Sequence, residues 1–276
     1  MKNAIIVVLT FVICLLLLAV GFLLWLNFFN EKEDQTSQSS SPTEVVQTVP
    51  SRVDIYSPSP EESAPPMVSI VDKVDYVWGE QVVYGLTVLV VKNENSFPVR
   101  VRDFNAIYKS VQDRTEEEDL FSVVPSILQP GEVGYAVNTG IFTFINFAED
   151  FAGSDIEQDI LVADSASYTN LEVSNVSFSV ELYNESNDTD GQLKVYGTMT
   201  NNSNVNVDGD KIEAIALMYD SDNNLIGALS EILDKSGMRL REGEQFDFAI
   251  DSFTLSRDIM DRTHRVDVYA GCATCN

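Results

Sequence analysis

The sequence predicts an all-β protein, two β-sandwiches in tandem carried on one N-terminal membrane helix. Three observations lead there. Beyond residue 66 the apolar residues fall in short runs rich in β-branched and aromatic side chains, with turn residues between them about every 8–12 positions. That pattern is spelled twice. Ahead of it, residues 4–29 (AIIVVLTFVICLLLLAVGFLLWLNFF) carry no charge at all.

A spanning helix needs about 20 mainly apolar residues, and this run is long enough to cross with some tilt. A secretory signal peptide has an apolar region of about 7–15 residues followed by a small-x-small cleavage site. The run here is longer, and WLNFFNEKEDQ after it offers no such site. A lipoprotein reading would need a small residue before Cys14, where Ile13 stands. The reading is an uncleaved signal-anchor, with a secreted, cleaved protein as the rival. Lys2 lies on one side and Glu31, Glu33 and Asp34 on the other. The positive-inside rule then puts residues 1–3 in the cytoplasm and the bulk outside the cell.

Residues 30–66 are dominated by Ser, Thr, Pro, Gln and Glu. Too few apolar residues are present to offset the entropy of ordering, which predicts a disordered linker. A flexible chain of that length averages roughly 30–35 Å end to end.

The first unit, 67–167, contains VYGLTVLVV and VRVRDFNAIY as strands, KNENSFP as a turn, QDRTEEED as an acidic loop and LQPGEVGYAV as a tight turn into a strand. DIEQDILVAD supplies a last strand. Between these lies an aromatic insert with Phe142, Phe144, Phe147 and Phe151, read as core in preference to an exposed binding patch. The second unit, 168–276, retraces the order with QLKVYGTMTN, IEAIALMYDSDNNLIGALSEI, LREGEQFDFAI and HRVDVYAG. From Tyr108 to Gly131 is 23 positions, and from Tyr219 to Gly243 is 24. Both tyrosines read as sandwich-packing residues.

The series VYG, TNNSNVNV, IALMYDSDNNLIG and LREGEQFDF resembles the FxLYD domain, a small immunoglobulin-like sandwich of bacterial and archaeal surface proteins. ALMYD, residues 216–220, stands at the motif position, with Ala216 where the family prefers Phe. The first unit matches through NAIYK, without the Phe or the Asp. The resemblance implies an immunoglobulin-like fold for the two tandem β-sandwiches that follow the transmembrane helix and the disordered linker. It implies a surface location and no chemistry, since the family has no established catalytic residues.

The formal net charge is −26. Residues 67–167 hold 17 acidic and 6 basic side chains, residues 168–276 hold 19 and 8, and both units come out at −11. Such a charge repels phosphates and argues against nucleic acid as a partner.

Three cysteines and one histidine leave little for catalysis. Asp220, Asp222 and Asn224 resemble the start of a calcium loop, but an EF-hand needs Gly sixth and Glu twelfth. Leu225 stands in the glycine's place although Glu231 falls in the twelfth, and a hairpin turn is the preferred reading. Cys272 and Cys275 form a lone C-x-x-C with no helix following. A terminal disulfide or two free thiols are preferred over a redox pair. His264 lacks any Gly-x-Ser-x-Gly context. Asn175, Asn184, Asn187 and Asn201 open Asn-x-Ser/Thr sequons.

The functional expectation is a single-pass, extracytoplasmic, non-enzymatic protein of adhesion, binding or envelope assembly. It needs no cofactor, and its partners would be the membrane, through the helix, and an envelope protein that the sequence does not identify. The alternative is an accessory subunit acting through its transmembrane helix.

Overall fold

Strand follows strand from Ser69 to Cys272. The computed structural model describes residues 66–276, apart from 81, 120–121, 164–167, 184–189, 234–236, 253, 274 and 276. The expected anchor (4–29) and, but for Pro66, the expected linker (30–66) lie outside the described residues. Among the described residues no helix is long and apolar enough to cross a membrane.

The first half contains β1 (Ser69–Trp78), β2 (Val83–Lys92), β3 (Val99–Ser110), β4 (Thr115–Asp119), β5 (Ser122–Val124), β6 (Ile127–Leu128), β7 (Val133–Phe142) and β8 (Phe151–Val162). They form two antiparallel sheets, one in the order β1-β2-β7-β5 and one with β3 between β4 and β8, β6 pairing the start of β3. The second half contains β9 (Thr169–Leu182), β10 (Asp190–Thr200), β11 (Val207–Asp208), β12 (Ile212–Tyr219), β13 (Leu225–Leu233), β14 (Arg239–Leu240), β15 (Gln245–Asp251), β16 (Leu255–Ser256), helix α1 (Arg257–Arg262) and β17 (Arg265–Cys272). Its main sheet runs β13-β12-β17-β9-β10-β15. It turns a corner at β9, which changes partner: Thr169, Asn170 and Leu171 pair with β17, and Glu172 onward with β10. The fold is all-β, as expected. Among the described residues the one α-helix, α1, is short; its N-cap is Ser256, whose hydroxyl accepts from the Ile259 amide.

QDRTEEED reads as a loop in the sequence, yet Thr115–Asp119 is a strand. Glu116 and Glu118 point to the half-covered side while Thr115, Glu117 and Asp119 face water. Glu116 accepts hydrogen bonds from the amide and hydroxyl of Thr143. Charged side chains on a sheet edge also block edge-to-edge pairing.

Two cores organise these sheets. One, inside the first half, holds Val83, Leu89 and Val91 of β2 against Val99, Val101, Phe104, Ala106 and Tyr108 of β3. The alternate residues of β2 (Tyr84, Leu86, Val88) belong to the other core, with Trp78, Val124, Val137 and the interior of the second half. The sheet β1-β2-β7-β5 is thus covered on both faces, which explains why β2 reads as a nearly continuous apolar run. Strand β12 is likewise buried from Ile212 to Met218, apart from Glu213.

The aromatic insert is core at three of its four positions. Phe142 and Phe144 are buried, and Phe151 packs on the same core. The Phe142 ring lies 4.4 Å from Tyr108, 5.6 Å from Phe144 and 5.8 Å from Phe151. Phe147 stands apart with 45% of its surface exposed.

The two halves repeat one another bond for bond at their turns. Asn93, fully buried, donates from Nδ2 to the carbonyls of Phe97 and Leu128, both at 2.9 Å, and its Oδ1 accepts from the Asn95 amide. Asn201, equally buried, donates to Val205 at 2.7 Å and Leu240 at 3.1 Å, and accepts from the Ser203 amide. Glu132 and Glu244 then accept from the amides of Gln129 and Arg241, and Gly131 and Gly243 turn with φ of 81° and 78°. The β3–β4 and β12–β13 hairpins match as well. Ser110 Oγ accepts from the Arg114 amide as Asp220 Oδ1 does from Asn224, with Asp113 and Asn223 at φ of 60° and 62°.

This register corrects the equivalence of the two tyrosines. Aligning Ser110 with Asp220 sets Tyr108 against Met218 and Lys109 against Tyr219. A shift of one residue in a strand moves the side chain to the other face. Tyr108 therefore lies in the first core, and Tyr219, partly buried, packs against the other core, so both are packing residues as expected, at positions that do not correspond. The Tyr-Gly pairs are also out of step, since aligning Asn93 with Asn201 sets Val88 against Tyr196. That shift of four is even, so both glycines still face inward. A Cβ on Gly85 would lie 2.0 Å from the Phe142 ring, and one on Gly197 2.7 Å from Phe248.

Candidate functional site

The residues proposed for metal binding are committed to a turn. Asp220 Oδ1 accepts from the amides of Asp222 and Asn224, both at 2.9 Å, and Oδ2 accepts from Asn224 Nδ2 at 3.1 Å. Those bonds hold the Asp220 carboxyl below its ordinary range, with Arg262, 3.8 Å away, adding a smaller pull. Among the described residues no group of three or more His, Cys, Asp or Glu is placed to hold a metal ion. Cys272 and Cys275 are joined as a disulfide and are buried. His264 is exposed, and its amide donates to the Tyr219 carbonyl. Of the sequon asparagines, Asn201 is buried in its turn, Asn175 is exposed on β9, and Asn184 and Asn187 lie outside the described residues.

A polar chain crosses the first half. Tyr108 Oη donates to Thr87 Oγ1 at 3.0 Å, and Thr87 donates to Asp75 at 2.8 Å. Ser154 also donates to Asp75, and Lys73 pairs with Asp75 while donating to Ser154 Oγ. This network ties β1, β2, β3 and β8 together. Burial pushes the Tyr108 phenol up to about 12, against a smaller opposing effect of its bond to Thr87.

The feature shaped to receive something is a cleft where the halves meet. It has a volume of about 480 Å³ and is lined by Asp72 and Val74 of β1, Val90 of β2, Tyr135 of β7, and Tyr219, Asn223, Asn224 and Leu225 of the β12–β13 hairpin. Its floor is aliphatic and aromatic; its rim is one carboxylate and two amides. A second, smaller cleft shares Tyr135 and adds Glu132, Asn170 and Tyr269. The Tyr135 and Tyr269 rings lie 4.6 Å apart. The Arg265 guanidinium sits 4.3 Å over the Tyr219 ring and pairs with Asp267 at 3.3 Å. Burial raises the phenols of Tyr135 and Tyr219, and neighbouring negative charge adds to it.

Local motifs do not reveal this cleft, because its residues come from five strands and one turn. Asp72 has no motif around it. Val90, Tyr135, Tyr219, Asn223, Asn224 and Leu225 lie in stretches that the sequence marks, but it marks them as strands and a turn and not as one site.

No family model matches the chain, and no curated protein is significantly similar to it.

Proposed function

We propose that this is a membrane-anchored, extracytoplasmic, non-enzymatic protein of binding or adhesion that presents two tandem immunoglobulin-like sandwiches. The observation that carries the reading is the chain's division of labour. A charge-free apolar run at residues 4–29 and a polar stretch at 30–66 precede an all-β body whose two halves each carry −11. The strand order β1-β2-β7-β5 facing β4-β3-β8 follows an immunoglobulin order without its last strand. The FxLYD-like residues 216–220 end strand β12 and enter its hairpin, as that resemblance expects. Interface clefts are also the usual seats of ligands in such bodies.

The test is protease accessibility of a C-terminal tag in intact cells, with the chain traced to the membrane fraction by the same tag. Digestion from outside, in a membrane-bound protein, is the expected result. A tag protected until the cells are lysed would sink the extracytoplasmic reading, and a tag found in the medium would favour cleavage and secretion.

A further inference from the structure

We propose that the cleft between Tyr135 and Tyr219 receives a cationic side chain, lysine or arginine, of a partner polypeptide, with Asp72 as its counter-ion. The inference rests on the reading of the chain as a binding protein and adds the chemistry of what it binds.

The carboxylates around the cleft divide sharply. Asp267 pairs with Arg265, and Asp220 lies beside Arg262 and is bonded within its turn. Asp75 pairs with Lys73. Asp72 is different: it accepts from the Lys73 amide at 2.8 Å and has no ion pair among the described residues. Lys73 cannot supply one, because its ammonium is held by Asp75 and Ser154. Asp72 is close enough to Tyr219 for its charge to bear on the phenol. Among the residues that line the cleft, Asp72 is therefore the one uncompensated negative charge.

Beneath it the floor is a channel of Val74, Val90, Leu225 and two tyrosines. Long cationic side chains suit this division, laying an aliphatic stem on apolar surface while the charged head stays at the rim. The aromatic lining favours a cation over a neutral chain of the same length, as Arg265 on the Tyr219 ring already illustrates. The amides of Asn223 and Asn224 add acceptors beside Asp72. An anionic side chain would meet Asp72 and a body whose two halves carry −11 each, which also steers cationic partners inward.

The test uses the full-length protein in lipid nanodiscs with ¹³C-labelled valine methyls. Capped pentapeptides Gly-Gly-X-Gly-Gly, with X lysine, arginine or norleucine, are titrated while the Val74 and Val90 signals are followed. Lysine and arginine peptides are expected to bind about tenfold more tightly than norleucine, an advantage that shrinks in high salt. Asp72→Asn removes the preference, and Glu242→Gln, on an exposed turn remote in sequence from the cleft, retains it. The proposal is overturned if norleucine binds as well as lysine, if no peptide shifts the two valines at millimolar concentration, or if Asp72→Asn keeps the preference. Binding here is independent of which side of a membrane the body occupies, so this test and the tag-accessibility test fail separately.

Discussion

Asn93 and Asn201 make the same hydrogen bonds at the same place in the two halves, each fully buried and each closing one loop onto another through two backbone carbonyls. Removing either amide strands two carbonyls and the amide that its Oδ1 accepts. Buried groups left unpaired cost about 1–3 kcal/mol each, softened where water enters. Asn93→Ala and Asn201→Ala are each expected to lose roughly 2–4 kcal/mol in urea denaturation. A loss at one position and none at the other would show that the matched bonds do not do matched work. Expressed in a glycosylating host, the protein should carry no glycan on Asn201 by mass spectrometry, because folding hides its side chain.

The one-residue offset between the tyrosines separates two variants that look alike in sequence. Tyr108 is 1% exposed, is ringed by Phe142 and Phe151, and bonds Thr87. Tyr108→Ala should cost about 3–5 kcal/mol, as large aromatic deletions in cores do. Tyr219 lines an open cleft, and Tyr219→Ala should cost about 1 kcal/mol or less. Chemical denaturation of the two variants decides it; equal losses would contradict the register.

How much of this was legible in sequence follows from what each feature depends on. Strand identity, the hairpin turns at Asp220 and the Gly-Glu turns depend on local chemistry, and the sequence carries them. The acidic β4 was unreadable because its pairing partner, not its own composition, makes it a strand. The tyrosine equivalence failed because identity of residue type is weaker than hydrogen-bond register, and a single position flips a face. The cleft is assembled from residues whose only link is three-dimensional, so no stretch of the chain announces Asp72 or Tyr135. The docking of the sheet's second face was foreshadowed in VYGLTVLVV, whose continuous apolar character exceeds what a half-solvated strand needs.

Within the aromatic insert, Phe144 and Phe147 should part company. Phe144 is 9% exposed beside the Phe142 ring, and Phe144→Ser should lower stability by roughly 2–4 kcal/mol. Phe147 is 45% exposed, and Phe147→Ser should stay within about 0.5 kcal/mol. Thermal unfolding of the two single variants is the measurement, and a large loss at Phe147 would place it in the core after all.

Alkaline pH should unfold the protein before its exposed tyrosines alone would. Burial holds Tyr108 neutral up to about 12, whereas in the unfolded chain it ionises near 10.0. Between those values the unfolded state has released a proton that the folded state keeps, so stability falls as pH rises. The stabilisation is fully present below about pH 10 and is lost towards pH 12, by roughly 2–3 kcal/mol for this one residue. Tyr108→Phe should flatten the decline in that window, followed by urea midpoints across the pH range. An unchanged slope would mean that Tyr108 ionises in the native state without resistance.

Glu213 offers the opposite kind of test, a residue whose removal should help. It lies on β12 with Oε2 buried and without a hydrogen-bond partner, and burial raises its carboxyl above the ordinary value. The hairpin register matches it to Asp103 on β3, also raised chiefly by burial, with the charges of Asp119 and Asp159 adding to it. A raised carboxyl favours its protonated form in the folded protein. Below the unfolded value it costs nothing, and as pH rises through the folded value the buried charge weakens the fold. Glu213→Gln keeps the shape and removes the charge. It should raise the urea midpoint at pH 7 and leave it unchanged at pH values below the ordinary carboxylate range, where both states are protonated. Asp103→Asn, at a more exposed site, should gain less. The same change should make Tyr168 easier to ionise, since after burial itself the charge of Glu213 does most to raise its phenol, ahead of Glu132. A Glu213→Gln protein no more stable than the parent at pH 7 would mean that the carboxylate already finds compensation at that strand position.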